Sequence, residues 1–118
     1  MNINIFDDPS LVPQPRDRVK IENVTVTPYE DRRRVFIEVR VTAFQERPNL
    51  LLAMLDRTGA VVNEASIIAT MHPKMEFTMH MRMADPAGDY TLRVELFYET
   101  RNPPLDSREV SFMIPAAT

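Results

Sequence analysis

The segment DYTLRVELFYE, residues 89–99, alternates apolar and polar side chains, with Phe97 as the one apolar residue in the polar series. The apolar series is Tyr90, Leu92, Val94, Leu96 and Tyr98, and the polar series is Thr91, Arg93, Glu95 and Glu99. Successive side chains of a β-strand point to opposite faces of the sheet. This period of two therefore predicts a strand with one face in a core and the other face towards solvent.

The same period recurs along most of the chain, as in RVFIEVRVTAF at residues 34–44. Turn residues separate the alternating segments, as in DRTG at residues 56–59 and DPAG at residues 85–88. Seven strands are predicted, at residues 18–27, 34–44, 49–56, 60–69, 74–83, 89–99 and 107–115. In VKIENVTVT, residues 19–27, the alternation changes phase at Asn23, which predicts a bulge or a change of sheet.

Three prolines, Pro9, Pro13 and Pro15, fall within the first sixteen residues. Proline removes a backbone donor and favours extended chain. Residues 1–16 are therefore predicted to form an N-terminal arm, and residues 17–118 a single β-sandwich domain. The total length of 118 residues suits one domain with one core.

The segment PAGDYTLRV, residues 86–94, resembles the sixth strand of immunoglobulin-like and fibronectin type III-like sandwiches. The resemblance implies an all-β fold, a seven-stranded antiparallel immunoglobulin-like sandwich. It also implies that Tyr90 is the structural corner residue, whose hydroxyl caps the preceding corner. Leu92 stands where the second cysteine of an antibody domain would be, and the chain has no tryptophan.

The composition restricts the classes of function. The chain has no cysteine, which excludes disulfides, thiolate metal sites and cysteine nucleophiles. Its net charge is −3, whereas a general nucleic-acid binder needs a basic face, so no nucleic-acid partner is expected. The N-terminus has no signal-peptide pattern, and the longest apolar run, Leu50–Leu55, is too short to span a membrane. We therefore expect a cytoplasmic protein without a membrane partner.

The segment KMEFTMHMRM, residues 74–83, contains four of the eight methionines and one of the two histidines. Thioether sulfurs suit soft metals such as Cu(I). In a strand, however, the methionines share a face with Phe77, and His80 lies on the other face. Methionine is also an adaptable core residue. We therefore expect core packing and no metal or other cofactor.

The residues of an enzyme site are sparse. A serine triad needs a positioned histidine base, and only His72 and His80 are present. Two glycines are too few for a glycine-rich phosphate loop. A pair of carboxylates could hydrolyse glycosides, but a domain of this size offers little cleft. We expect no enzymatic activity and no catalytic residues.

The run Leu50–Leu55 is apolar at both strand parities, so one parity faces away from the core or is covered. In an immunoglobulin-like strand order, Phe97 and Met113 lie on the outward parity of the sixth and seventh strands. We therefore predict a partner interface formed by Leu51, Leu55, Phe97 and Met113. The cover is a second copy of the chain, another protein, or the arm through Ile3, Ile5 and Phe6.

The predicted function is that of a non-enzymatic protein-binding or assembly module that acts through an apolar sheet face or edge. A first alternative is a cytoplasmic immunoglobulin-like inhibitor of a protease or other enzyme, which would present loop 100–106 or loop 84–88. A second alternative is a carbohydrate-binding accessory domain. The small number of aromatic residues, with three tyrosines and no tryptophan, counts against the second alternative.

Overall fold

The structure is a computed structural model that describes residues 12–117. A single turn of 3-10 helix, Arg16–Arg18, precedes seven strands. The strands are β1 (Ile21–Pro28), β2 (Arg34–Val41), β3 (Asn49–Asp56), β4 (Val61–Ile67), β5 (Lys74–His80), β6 (Gly88–Phe97) and β7 (Asp106–Ile114). No helix in residues 12–117 is long and apolar enough to cross a membrane. The prediction of an all-β chain with seven strands is confirmed.

The strands form two antiparallel sheets. One has the order β1-β2-β5, and the other has the order β4-β3-β6-β7. β4 therefore pairs with β3, whereas in an antibody constant domain the fourth strand lies in the sheet of the first, second and fifth strands. The alternating apolar residues of both sheets meet in one core. Its largest fully buried side chains are Ile21, Ile37, Leu50, Leu52, Met54, Leu92, Leu96 and Ile114.

One irregularity predicted within β1 is confirmed, and two strands end earlier than predicted. The phase change predicted at Asn23 is confirmed, because the register of β1 against β2 shifts between Ile21 and Asn23. β2 ends at Val41, three residues before its predicted end, and β5 ends at His80. Beyond Val41 the chain pairs instead with the N-terminal segment, where Gln14 and Phe44 form an isolated parallel bridge.

The methionines of β5 and the residues after it belong to the core. Met75, Met79 and Met81 are buried in the core cluster, and Phe77 and Met83 pack against it. His80 is exposed on the opposite face of the strand. The core role that the alternation predicts for this stretch is confirmed.

Tyr90 lies near the start of β6 and is buried. Its hydroxyl donates a hydrogen bond to the backbone oxygen of Pro86, at 2.7 Å. Its ring stacks on Phe112 of β7, with the ring centroids 5.5 Å apart. Burial raises the pKa of the Tyr90 hydroxyl, and the charges of Asp56 and Asp85 raise it further. Tyr90 thus joins the 84–88 loop to the last strand.

We expect Met79→Leu to cost less than about 1.5 kcal/mol of unfolding free energy, because the exchange nearly conserves volume. Met79→Ala should cost about 2–5 kcal/mol, because it leaves a cavity. Chemical denaturation of the two variants measures the difference, and the exposed Met71→Ala is the control. Equal losses for the two Met79 variants, or a melting temperature that a chelator lowers, would contradict the core role.

We expect Tyr90→Phe to cost about 1–3 kcal/mol, because it leaves the buried Pro86 carbonyl without its donor. Tyr98→Phe is a matched control. The Tyr98 hydroxyl also donates to a backbone carbonyl, that of Glu46 at 3.0 Å, but near solvent, where water can replace it. Urea denaturation should therefore show a clear loss for Tyr90→Phe and a small one for Tyr98→Phe. An unchanged midpoint for Tyr90→Phe would refute the corner role.

Candidate interaction face

The candidate site is the outer face of the β4-β3-β6-β7 sheet, which is the face turned away from the core. Because Leu50, Leu52 and Met54 of β3 lie in the core, the intervening residues Leu51 and Ala53 point outward. The strand register arranges the outward residues in rows across the sheet. One row is Ser66, Leu51, Glu95 and Ser107, and the next row is Glu64, Ala53, Arg93 and Glu109.

The structure divides the four predicted interface residues between the two ends of this face. Leu51 lies opposite Glu95, next to the row that holds Phe97. Leu55 lies opposite Thr91, and Met113 lies opposite Asp89. Phe97 and Asp89 are eight positions apart on β6, which corresponds to about 26 Å.

The prediction of one continuous patch of Leu51, Leu55, Phe97 and Met113 is therefore wrong. The physical reason is the antiparallel pairing of β6 and β7, which places the end of β6 beside the start of β7. Strand parity had placed Phe97 and Met113 on the same face but gave no information on their separation along it. Whether either end binds a partner stays a prediction.

A charged band separates the two ends. Glu95 is buried and lies 3.6 Å from Arg93 and 3.5 Å from Arg101. The buried Arg93 Nε has no hydrogen-bond partner among residues 12–117. Leu51 pairs with Glu95 of this band and is only 5% exposed, so its side chain offers little surface to a partner.

The end of the face that holds Phe97 carries two exposed apolar residues that the sequence analysis missed. Ile68, 72% exposed, follows Ile67, which pairs with Leu50. Leu105, 45% exposed, precedes Asp106, which pairs with Leu96. Ile68 thus lies one residue beyond the end of β4, and Leu105 lies one residue before β7, at the end of the sheet where Asn49 pairs with Phe97. We call Ile68, Phe97 and Leu105 the apolar end.

A signal for Ile68 was present in the sequence. Ile67 and Ile68 are adjacent apolar residues, as in the run Leu50–Leu55, so one of them had to leave the core. Leu105 follows Pro103 and Pro104 in a loop and belongs to no alternating segment. Its position became clear only from the pairing of β6 with β7.

Asn49 fixes the two loops that flank the apolar end. Its Oδ1 accepts a hydrogen bond from the backbone N–H of Ala69 at 2.8 Å. Its Nδ2 donates to the backbone oxygen of Tyr98 at 2.6 Å. The buried Thr70 also donates its backbone N–H to the oxygen of Pro48, at 3.0 Å. The β4–β5 and β6–β7 loops are therefore held against the start of β3.

Arg16 holds the N-terminal segment at the same end of the sandwich. Its guanidinium contacts Glu46 at 2.6 Å and Glu99 at 3.0 Å, and it lies 4.7 Å from the ring centroid of Tyr98. The hydrogen bond to Glu46, followed by the one to Glu99, raises the pKa of Arg16 above its ordinary value. An open cavity of about 410 Å³ lies beside this cluster. It is lined by Arg16, Asp17, Tyr98, Glu99, Thr100, Pro103, Pro104 and Leu105.

The opposite end of the face holds the partly buried Leu55 and two exposed apolar residues, Val61 at 50% and Met113 at 61%. Two adjoining cavities of about 440 and 430 Å³ lie there and share Arg57, Asp89 and Tyr90. Within residues 12–117, no three His, Cys, Asp or Glu side chains are grouped so as to hold a metal ion.

Asp56 belongs to this same end, where it closes the β3–β4 turn. Its carboxylate accepts hydrogen bonds from the Thr58 hydroxyl and from two backbone N–H groups. The Thr58 hydroxyl makes the largest contribution to lowering the pKa of Asp56. These bonds keep the carboxylate ionised and stabilise the turn.

Each of the three tyrosines has a ring face in contact with another side chain. The Arg34 guanidinium lies 4.3 Å from the ring centroid of Tyr29, and Arg16 covers Tyr98. Tyr90 is buried against Phe112. None of these three rings is free on both faces to serve as a platform for a ligand.

The chain matches no protein-family model and no curated protein sequence. It does share its fold with solved structures. A β-glucuronidase from Bifidobacterium dentium, complexed with coumarin-3-O-glucuronide, matches 81% of the chain with 18% identity and a TM-score of 0.62. A glycosyl hydrolase family 2 member from Bacteroides cellulosilyticus matches 81% with 14% identity and a TM-score of 0.53. A β-glucuronidase from Lactobacillus rhamnosus matches 82% with 18% identity and a TM-score of 0.52.

The match involves a small part of each of these proteins. The chain covers 18%, 15% and 16% of their respective lengths. At such low identity the likeness is one of fold, and fold alone does not specify function. The chain thus has the fold of one β-sandwich segment found within larger glycoside hydrolases.

Proposed function

We propose that the chain is a non-enzymatic protein-binding or assembly module that contacts its partner through the apolar end. The observation that supports this most is the position of Ile68, Phe97 and Leu105 at one end of the larger sheet, with Ile68 and Leu105 exposed. Grouped exposed apolar residues on a folded domain are typical of interaction surfaces.

The rigidity of the surrounding loops supports the same proposal. Asn49 bonds to both flanking loops, so the apolar side chains keep their relative positions without a partner. A surface that is already ordered loses less conformational entropy on binding. The lack of cysteine is consistent with action in a reducing compartment, such as the cytoplasm.

The charged band gives the surface a boundary. Arg93, Glu95 and Arg101 border the apolar end on the side of the sheet centre. Interfaces between proteins typically combine an apolar centre with a polar rim. We therefore expect the partner to cover Phe97 and Leu105 fully and to contact Arg101 at the margin.

We test this proposal by affinity capture from the source organism with the full chain and with Leu105→Asp. A protein that is captured only by the unchanged chain is then purified and titrated against both. We expect Leu105→Asp to weaken binding at least about tenfold, because it buries an unpaired charge. Met113→Asp, at the opposite end of the same face, is the matched control and should bind like the unchanged chain.

A labelling experiment gives an independent measurement. Because the chain has no cysteine, Leu105→Cys introduces a single reactive thiol. The bound partner should slow its modification and leave that of Met113→Cys unchanged. Capture of the same proteins by the unchanged chain and by Leu105→Asp, or protection of Met113→Cys alone, would contradict the proposal.

A second candidate function is that of a carbohydrate-binding accessory domain. Its support is the nature of the structural neighbours, which are glycoside hydrolases, although the match covers less than a fifth of each neighbour's own length. The cavity beside Tyr98 would be the site, since it combines an aromatic ring with Arg16 and Asp17. A sugar there would have to share Tyr98 with Arg16, which already lies over the ring.

This second candidate predicts that glucuronide-containing oligosaccharides shift the NMR signals of residues around Tyr98, and that Tyr98→Ala abolishes the shifts. Tyr29→Ala is the control, because its ring is also covered by an arginine but lies outside this cavity. We expect no shifts at millimolar sugar if the protein-binding function is the correct one. Saturable shifts that Tyr98→Ala removes would favour the carbohydrate function instead.

A further inference from the structure

The two sheets have four edge strands, and two of these edges lie together. β1 and β7 are joined by a hydrogen bond from the Ile21 backbone N–H to Asp106 Oδ2 at 2.8 Å. Arg108 also donates to the backbone oxygen of Glu22, at 3.5 Å. On the other side of the sandwich, β4 and β5 are edges that pair with no further strand within residues 12–117.

The β5 edge has the charges that protect an edge strand from pairing with other chains. The charged Lys74 and Glu76 are exposed along it. Charged side chains on an edge oppose the approach of a second strand. A second β5 would meet these groups and the exposed Thr78 on the same face.

The β4 edge lacks this protection. The segment AVVNEASIIA, residues 60–69, contains one charged residue, Glu64, and no proline or lysine. Its ends carry the exposed side chains of Val61 and Ile68. Asn63 donates to the backbone oxygen of His80 at 2.9 Å, which holds β4 in place against the neighbouring sheet. The register of β4 against β3 shifts between Asn63 and Val61, so the regular part of the edge is residues 63–67. A regular, nearly uncharged edge is the kind that pairs with another strand.

We propose that β4 pairs antiparallel with β4 of a second copy of this chain, so that the two four-stranded sheets become one eight-stranded sheet. The self-complementary sequence of β4 supports a second copy as the occupant. In a two-fold pairing centred on Ala65, each outward Glu64 faces Ser66 of the other copy. The exposed Val61 end of each strand then approaches the exposed Ile68 end of the other.

The competing register is less favourable. If the two-fold axis passed through Glu64, the two Glu64 carboxylates would lie directly opposite each other, and like charges in that position destabilise a strand pair. The register centred on Ala65 avoids this contact. As a two-fold pairing it has the isologous geometry of most homodimers.

The dimer is expected to be weak. Pairing along one seven-residue strand buries less surface than a stable interface of standard size, which involves about 800 Å² on each partner. The association should therefore appear only as the protein concentration rises. This inference goes beyond the proposed function, because it concerns the β4 edge. The two surfaces share only Ile68, and the dimer uses neither Phe97 nor Leu105.

Sedimentation velocity of the full chain over a wide concentration range tests the inference. We expect a reversible monomer–dimer equilibrium. Ser66→Glu should raise the dimer Kd about 2- to 30-fold, because it creates two like-charge contacts with Glu64 of the other copy. Ser66→Lys should lower the Kd, because it creates two opposite-charge contacts at the same positions.

The matched controls are Thr78→Glu and Thr78→Lys, which introduce the same charges on the β5 edge and should leave the Kd unchanged. Circular dichroism establishes that all four variants are folded. A chain that stays monomeric at every concentration would overturn the inference, as would a Kd that both Ser66 variants shift in the same direction or leave unaltered. A dimer that Leu105→Asp disrupts would place self-association at the apolar end. That result would overturn the β4 pairing, whereas the apolar end would still be a binding surface.

Discussion

The antiparallel register between β3 and β6 determines both faces of the larger sheet. Leu50, Leu52 and Met54 lie opposite Leu96, Val94 and Leu92, and all six are fully buried. The same pairing sets Leu51 opposite Glu95 and Asn49 opposite Phe97 on the outer face. A slip of one residue would exchange the two sets, so the burial of the inner six side chains also fixes which residues face outward.

Sequence periodicity predicted most of this architecture, because a strand that is buried on one face alternates apolar and polar residues along the chain. The alternation in β2 and β6 and the phase change at Asn23 each correspond to an observed element. Strand ends were less predictable. The alternation continues through Thr42 and Ala43, but there the backbone of Ala43 accepts a hydrogen bond from Gln14 instead of continuing the ladder with β5.

The outer face was predicted less well, and the reason is geometrical. Parity places a residue on a face, whereas its neighbours on that face depend on which strands pair and in which register. Phe97 and Met113 have the correct parity and lie at opposite ends. Cross-strand pairing places Ile68 and Leu105 at the same end of the sheet, on its two edge strands, and the charged band depends on Arg101, which reaches Glu95 from a loop. None of these contacts follows from the order of residues in one strand.

The side-chain amide of Asn49 has a consequence for protein engineering. Its oxygen and nitrogen serve two different loops, so a change in the length of either loop would displace the other through a single residue. Foreign peptides are therefore better inserted at the far end of the sandwich, in the turn from Asp56 to Ala60. That turn is closed by hydrogen bonds within its own five residues, and its tip at Gly59 lies in open space. An insertion there would leave the anchored end of the domain unaltered.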